Sequence, residues 1–103
     1  MSEFVFHPGA LKDLDEIWEY IAGDSIDAAD RVRNEIYDAI KSFVPFPHVG
    51  HQRRDLTSQP LRFQTVRDYV IAYAAGEKPL AIVAILHGRR NPRVIAAILR
   101  NRT

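Results

Sequence analysis

The side chains best suited to chemistry are one histidine and several arginines in the second half of the chain. His87 is followed by Arg89 and Arg90, and Arg62 and Arg67 precede it on stretches typical of neighbouring strands. Cleavage of RNA without a metal ion needs a base, an acid and cations that hold the developing negative charge. A histidine exchanges protons near neutral pH, and an arginine holds phosphate through paired hydrogen bonds. The candidate catalytic residues are therefore His87, Arg62 and Arg67.

The same arginines can act by binding alone. Nine of the ten cations in residues 45–103 are arginines, which favour bidentate contacts with carboxylates and phosphates. We expect those around the end of the last strand to form a basic ridge that meets an anionic surface, extended by the pair at positions 53 and 54. The candidate binding residues are Arg53, Arg54, Arg62, His87, Arg89, Arg90 and Arg93.

Two of these residues have a structural interpretation as well. For His87 we favour a hydrogen bond to a loop carbonyl, which would orient the arginines that follow it. Arg54 is followed by Asp55, and this sequence is equally consistent with a local ion pair of little energetic value.

Metal and cofactor sites are not expected. The chain has no cysteine, so disulfides, thiolate metal sites and a cysteine nucleophile are excluded. His48 and His51 lie in a loop rich in proline and glycine, and no third ligand stands near them. Four carboxylates at helical spacing are expected to face solvent rather than to act as an acid–base pair. They are Asp13, Asp15, Glu16 and Glu19.

Length and charge suggest one small domain with two unlike surfaces. The 103 residues suit a single domain over 1–103, and 47% hydrophobic with 26% charged residues is an ordinary globular balance. Residues 1–44 hold ten acidic and four basic side chains, whereas residues 45–103 hold three acidic and ten basic ones. No apolar run approaches the roughly 20 residues of a membrane span, and no secretion signal is evident. We therefore expect a cytoplasmic, soluble protein without membrane association.

Periodicity and turn residues predict the order of the elements. Apolar residues recur at helical spacing in the first half, and β-branched and aromatic residues dominate the second. The predicted elements are a strand at 4–6, helices at 9–22 and from Ser25 to Pro45, strands at 61–66, 69–74 and 80–87, and a helix at 92–102.

These elements predict an α+β fold. An N-terminal strand and a helical hairpin pack on an antiparallel β-meander, and a short C-terminal helix follows. The strand at 80–87 is apolar at almost every position, so it should be central, whereas the strand at 4–6 should lie at an edge. Because a hairpin covers one face of a sheet, we expect apolar surface to stay open on the other face.

The order of several short motifs resembles a known superfamily. The matching pieces include Ala10–Leu14, Ala28–Val32, Arg54–Leu56, Tyr69–Tyr73 and Ile85–Arg90, and they extend over about 80 residues. Together they resemble the ParE/RelE superfamily, the toxins of bacterial type II toxin–antitoxin modules. The resemblance implies the same α+β fold and a toxin function.

The ParE branch resembles the chain more closely than the RelE branch does. RelE-like nucleases bring lysines from the loop and early meander and usually a tyrosine after the last strand. Here the lysines are Lys12, Lys41 and Lys78, and no tyrosine follows Tyr73. The histidine and arginines therefore form an incomplete nuclease, and the interpretation leans away from an enzyme. ParE-like toxins share the sequence His-Gly-Arg-Arg at the last strand and are associated with poisoning DNA gyrase.

The resemblance also implies partners. A ParD-like or similar cognate antitoxin would wrap the toxin, and its acidic stretch would meet the arginines. DNA gyrase is the implied target, and direct, independent binding to nucleic acid is not expected. Two alternatives stay open. One is a ribosome-dependent mRNA endoribonuclease of RelE type, and the other is a non-toxic member that only binds its antitoxin and co-represses the operon.

Overall fold

A computed structural model describes residues 3–102. It contains three helices, one turn of 3₁₀ helix at Pro47–Val49 and a four-stranded mixed sheet, and it confirms the predicted α+β class. The elements are β1 (Phe4–Phe6), α1 (Pro8–Ala22), α2 (Ile26–Phe43), β2 (Leu61–Val66), β3 (Tyr69–Ala74), β4 (Leu80–His87) and α3 (Pro92–Asn101).

The helical hairpin forms where the apolar periodicity predicts it. Pro8 opens α1 at a position that needs no amide hydrogen, and the Nδ1 atom of His7 accepts a hydrogen bond from the Gly9 amide at 2.9 Å. At the start of α2, the Ser25 hydroxyl accepts a hydrogen bond from the Ala28 amide at 3.1 Å. Both helices therefore begin with a side-chain cap.

The sheet has the strand order β1-β4-β3-β2. The last three strands form the predicted antiparallel meander, and β1 pairs in parallel with β4 over Leu80–Ile82. The strand β4 is therefore internal and β1 lies at an edge, as predicted. In this register Tyr69 stands opposite His87, so the start of β3 and the end of β4 lie at the same end of the sheet.

One hydrophobic core fills the space between the hairpin and the sheet. Apolar side chains of β3 and β4 form one side of this core, and apolar side chains of both helices of the hairpin form the other side. The largest fully buried members on this side are Ile36, Ile40, Phe43, Ile71, Tyr73, Ile82 and Ile85. The rings of Phe43 and Tyr73 stack with their centroids 4.3 Å apart, which joins the end of α2 to the sheet.

The opposite face of the sheet is covered, so the expectation of open apolar surface there is wrong. Ile95 and Leu99 of α3 pack on Val83 and Leu86, and Leu56 from the loop before β2 completes this second core. Val83 is 5% exposed and Leu86 is 6% exposed.

No helix within residues 3–102 is long and apolar enough to cross a bilayer.

Candidate functional site

Most of the predicted site residues lie near the end of β4. His87 is half-buried, and its ring meets the ring of Tyr69 edge to face at a centroid distance of 5.6 Å. The Nδ1 atom of His87 accepts a hydrogen bond from the Arg89 amide at 3.1 Å. The prediction that His87 donates a hydrogen bond to a loop carbonyl is therefore wrong, because its ring accepts one from a backbone amide. The imidazole instead holds an amide of the turn that carries the arginines.

Backbone contacts fix the same turn. The Gly88 amide donates to the Asp68 carbonyl at 2.8 Å, and the Arg90 amide donates to the His87 carbonyl at 3.1 Å. A Cβ atom at Gly88 would lie 3.3 Å from that Asp68 carbonyl, which is tighter than ordinary contact. The turn after β4 is thus fixed against the turn between β2 and β3.

The arginines after β4 present charges on this turn and on the first turn of α3. Arg89, Arg90 and Arg93 are exposed, and none of their side chains forms an ion pair within residues 3–102. Arg53 and Arg90 line the same narrow cavity, of about 40 Å³, beneath the start of α3. We call Arg53, Arg54, Arg89, Arg90 and Arg93 the arginine ridge.

One member of the ridge is already neutralised. The Nε and Nη2 atoms of Arg53 donate to the two carboxylate oxygens of Asp55 at 3.0 and 2.8 Å. This hydrogen bonding raises the pKa of Arg53 and lowers the pKa of Asp55. The predicted pair was Arg54 with Asp55, and this is wrong because Arg53 takes that carboxylate. Arg54 is exposed and has no ion pair in the described part of the chain.

Arg62 lies at the other end of the sheet from His87. It stands opposite Tyr73, whose own partner on β4 is Ile82, near the beginning of that strand. Its Nη1 atom donates to the Gly50 carbonyl at 3.1 Å, and the Tyr73 hydroxyl accepts from the Gly50 amide at 3.0 Å. Arg62 therefore anchors the loop before β2 and is not brought to the histidine.

Arg67 is likewise engaged elsewhere. It occupies the turn between β2 and β3 with a left-handed φ of 54°, and its Nη2 atom lies 2.6 Å from a carboxylate oxygen of Glu35 on α2. The three candidate catalytic residues therefore do not converge. His87 stabilises its turn, Arg62 binds a distant loop, and Arg67 pairs with a carboxylate.

A cleft that the sequence did not reveal lies beside this turn. It has a volume of about 440 Å³ and runs between one face of α1, the start of β3 and the end of β4. We call it the strand-end cleft. The side chains that give it its chemistry are Asp13, Glu16, Tyr20, Asp68, Tyr69 and His87, with Arg90 at the ridge side.

Asp13 forms a buried ion pair, so its predicted exposure is wrong. The guanidinium of Arg102 donates to both of its carboxylate oxygens, at 2.5 and 2.9 Å, and the two side chains are 15% and 11% exposed. The pair also satisfies hydrogen-bonding backbone groups of β4 beyond the part that pairs with β1. The Ile85 amide donates to Asp13 at 3.0 Å, and Arg102 donates to the Val83 carbonyl at 3.1 Å.

A weak signal for this pair exists in the sequence. Asp13 follows the buried Ala10 by three positions and precedes the buried Leu14, so it stands on the border of the apolar stripe of α1. Its partner Arg102 is 89 positions away, and nothing local indicates it.

Within residues 3–102, no three histidines or carboxylates converge in an arrangement that could hold a metal ion. His48 is exposed, and His51 pairs through its backbone with Phe63.

Comparison with known families decides the classification. Residues 4–92 match the family model described as the ParE toxin of the type II toxin–antitoxin system, parDE. The chain belongs to this family. Among curated relatives, Toxin ParE2 of Mycobacterium tuberculosis, from strains CDC 1551 / Oshkosh and ATCC 25618 / H37Rv, is 29% identical over 102 residues. The alignment covers 94% of this chain and 91% of the relative. The resemblance to ParE-like toxins is thus confirmed, and membership implies an antitoxin partner.

Proposed function

We propose that this type II toxin acts in the cytoplasm by binding DNA gyrase, as one domain spanning residues 1–103. A ParD-like antitoxin neutralises it by covering the same surface. The observation that supports this proposal is the set of exposed arginines that form no ion pair within residues 3–102, namely Arg89 and Arg90 on a fixed turn and Arg93 at the start of α3. The choice of target is supported by the resemblance to ParE-like toxins, which are associated with poisoning DNA gyrase.

The arginine ridge suits binding by occupancy. Each free guanidinium offers paired hydrogen bonds to a carboxylate, and the turn beneath them is held by Gly88, His87 and Asp68. Because this backbone is fixed before binding, less ordering entropy is lost when a partner docks. A partner with an acidic patch would therefore bind with a strong dependence on ionic strength.

Catalysis receives less support from the same geometry. A nuclease needs its base, acid and phosphate-binding cations around one phosphate. Arg62 stands toward the opposite end of the sheet from His87, and Arg67 is paired with Glu35. We therefore propose binding and not RNA cleavage as the toxic activity.

The decisive experiment adds the purified chain to DNA gyrase in a supercoiling assay. We expect inhibition by the native protein and at least a tenfold loss of potency in the triple variant Arg89→Gln, Arg90→Gln, Arg93→Gln. A matched control removes three exposed charges elsewhere, with Lys12→Gln, Arg31→Gln and Arg100→Gln, and should stay close to the native potency.

A parallel reaction with translating ribosomes tests the nuclease alternative. Intact supercoiling together with cleaved message would overturn the proposal. Adding the protein encoded by the adjacent reading frame should restore supercoiling, because the antitoxin would cover the arginine ridge.

A further inference from the structure

The strand-end cleft carries a net negative charge. Glu16 on α1 and Asp68 on the turn between β2 and β3 both line it, and neither forms an ion pair within residues 3–102. Asp13 also lines the cleft, but Arg102 already neutralises it. With one guanidinium, that of Arg90, on the ridge side, the unpaired side chains leave a net charge of about −1 in the cleft.

Two tyrosines give the cleft aromatic walls. Tyr20 is 84% exposed, far more than an aromatic ring usually is, and it lies one helical turn beyond Glu16 on the same face of α1. Tyr69 is half-buried, with the ring of His87 against it. Burial raises the pKa of Tyr69, the negative charge of Asp68 raises it further, and the positive charge of Arg67 lowers it.

Aromatic faces beside carboxylates are the surroundings that a guanidinium prefers. The cation stacks on the ring while its N–H groups donate to the carboxylate oxygens. An apolar side chain would leave both carboxylates desolvated without a partner, and an acidic one would be repelled.

The chain fills the neighbouring position in the same way. Arg102 lies against Asp13, one helical turn before Glu16 on α1, and donates to the edge of β4 as well. Gly9 leaves room for it, since a Cβ atom there would collide with the Arg102 guanidinium. One turn further along α1, Glu16 lines the strand-end cleft together with Asp68, and neither carboxylate forms an ion pair within residues 3–102.

We propose that the strand-end cleft receives one arginine side chain of the antitoxin, whose guanidinium pairs with Glu16 and Asp68 between the two tyrosines. This inference rests on the proposed antitoxin partner. Because Arg90 is a member of the arginine ridge and also lines the cleft, the antitoxin segment must place its arginine next to acidic residues that cover the ridge. The cleft thereby determines how the segment is aligned on the toxin.

A small probe tests the cleft without any partner. N-acetyl-arginine-N-methylamide is titrated into the ¹⁵N-labelled full chain, and its neutral isostere, the citrulline analogue, serves as the control ligand. We expect saturable shifts at the amides of Ile17, Tyr69 and Ile85 with the arginine probe and none with citrulline. The same shifts should vanish in the variant Glu16→Gln, Asp68→Asn. Equal shifts from both probes, or no shifts in the native chain, would overturn the proposal.

The second arm measures binding of the antitoxin encoded by the adjacent reading frame. The variant Glu16→Gln, Asp68→Asn should bind it about tenfold more weakly, which corresponds to about 1.4 kcal/mol. The control variant Asp15→Asn, Glu19→Gln changes two exposed carboxylates of α1 that do not line the cleft, and it should bind within about twofold of native. Circular dichroism and the melting temperature confirm that both variants are folded.

The two possible failures are distinguishable. If the antitoxin binds the native chain and the cleft variant equally well, the cleft proposal is refuted and the proposed function stands. If the antitoxin does not bind the native chain at all, the proposed function fails. The titration with the arginine probe then reports on the chemistry of the cleft alone.

Discussion

Replacement of Arg102 by alanine should be among the most damaging single changes in this small protein. Its guanidinium donates to both carboxylate oxygens of Asp13 and to the Val83 carbonyl, and its side chain is only 15% exposed. In Arg102→Ala the carboxylate of Asp13, 11% exposed, keeps the Ile85 amide as a donor but loses its counter-ion. A buried charge without its partner is the origin of the expected destabilisation.

The magnitude follows from this burial. Removing one partner of a buried ion pair costs about 3–5 kcal/mol, and the residual exposure here places the loss near the lower value. A change of about 3 kcal/mol is a large part of the ~5–15 kcal/mol that a native domain has in total. At about 4–8 °C per kcal/mol for a domain of this size, the melting temperature should fall by roughly 12–24 °C.

Urea unfolding monitored by circular dichroism measures the effect, and a second variant isolates its cause. Asp13→Ala, Arg102→Ala removes both charges, so it should be less destabilised than the sum of the two single variants. Arg100→Ala, two positions earlier on the exposed side of α3, should lie within about 0.5 kcal/mol of native. A loss in Arg102→Ala below about 1 kcal/mol would refute the reasoning, because the pair would then behave as an exposed one.

Three further predictions concern stability. Gly50→Ala places a Cβ atom 2.5 Å from the Tyr73 hydroxyl and 3.0 Å from the Phe63 carbonyl, and should lower the free energy of unfolding in urea by about 1–3 kcal/mol. Arg67 has a φ of 54°, so Arg67→Val should cost about 1–2 kcal/mol in the same assay, whereas Arg67→Gly should stay within about 0.5 kcal/mol; equal losses would contradict this. Burial raises the pKa of Tyr69 and Tyr73 above 10, so the folded state favours the neutral phenols. The contribution of these two phenols to stability should therefore be constant below about pH 10 and fall as the pH rises further, and the fall should be smaller in Tyr73→Phe.

The elements were predictable because the local sequence determines them. The stripe on α1 and α2, the cap at Ser25 and the tight turn at Arg67 and Asp68 act within a few positions. The central place of β4 also follows from local sequence, since a strand that is apolar on both faces must be covered on both.

The arrangement of the site was less predictable, because it depends on contacts between distant residues. Asp13 and Arg102 meet across 89 positions, and a carboxylate on a helix gives no sign of which distant cation it pairs with. The sequence places Arg62 on a strand but does not show which end of the sheet it occupies. The strand register puts it toward the end opposite His87, where its guanidinium donates to the Gly50 carbonyl. Leu56 covers the second face from a loop that has no periodicity to reveal it.

The neighbouring charges at the end of the sheet also bear on the choice of partner. A uniformly acidic segment would be attracted to Arg89 and Arg93 but repelled where it passes Glu16 and Asp68. A uniformly basic segment would be attracted to Glu16 and Asp68 but repelled by Arg89 and Arg93. A segment binds both surfaces when its acidic residues meet the arginine ridge and its arginine meets the cleft. If the segment is shifted by a few residues, like charges face each other. In the proposed complex, specificity for one antitoxin therefore arises as much from repulsion of misaligned segments as from the strength of the ridge contacts.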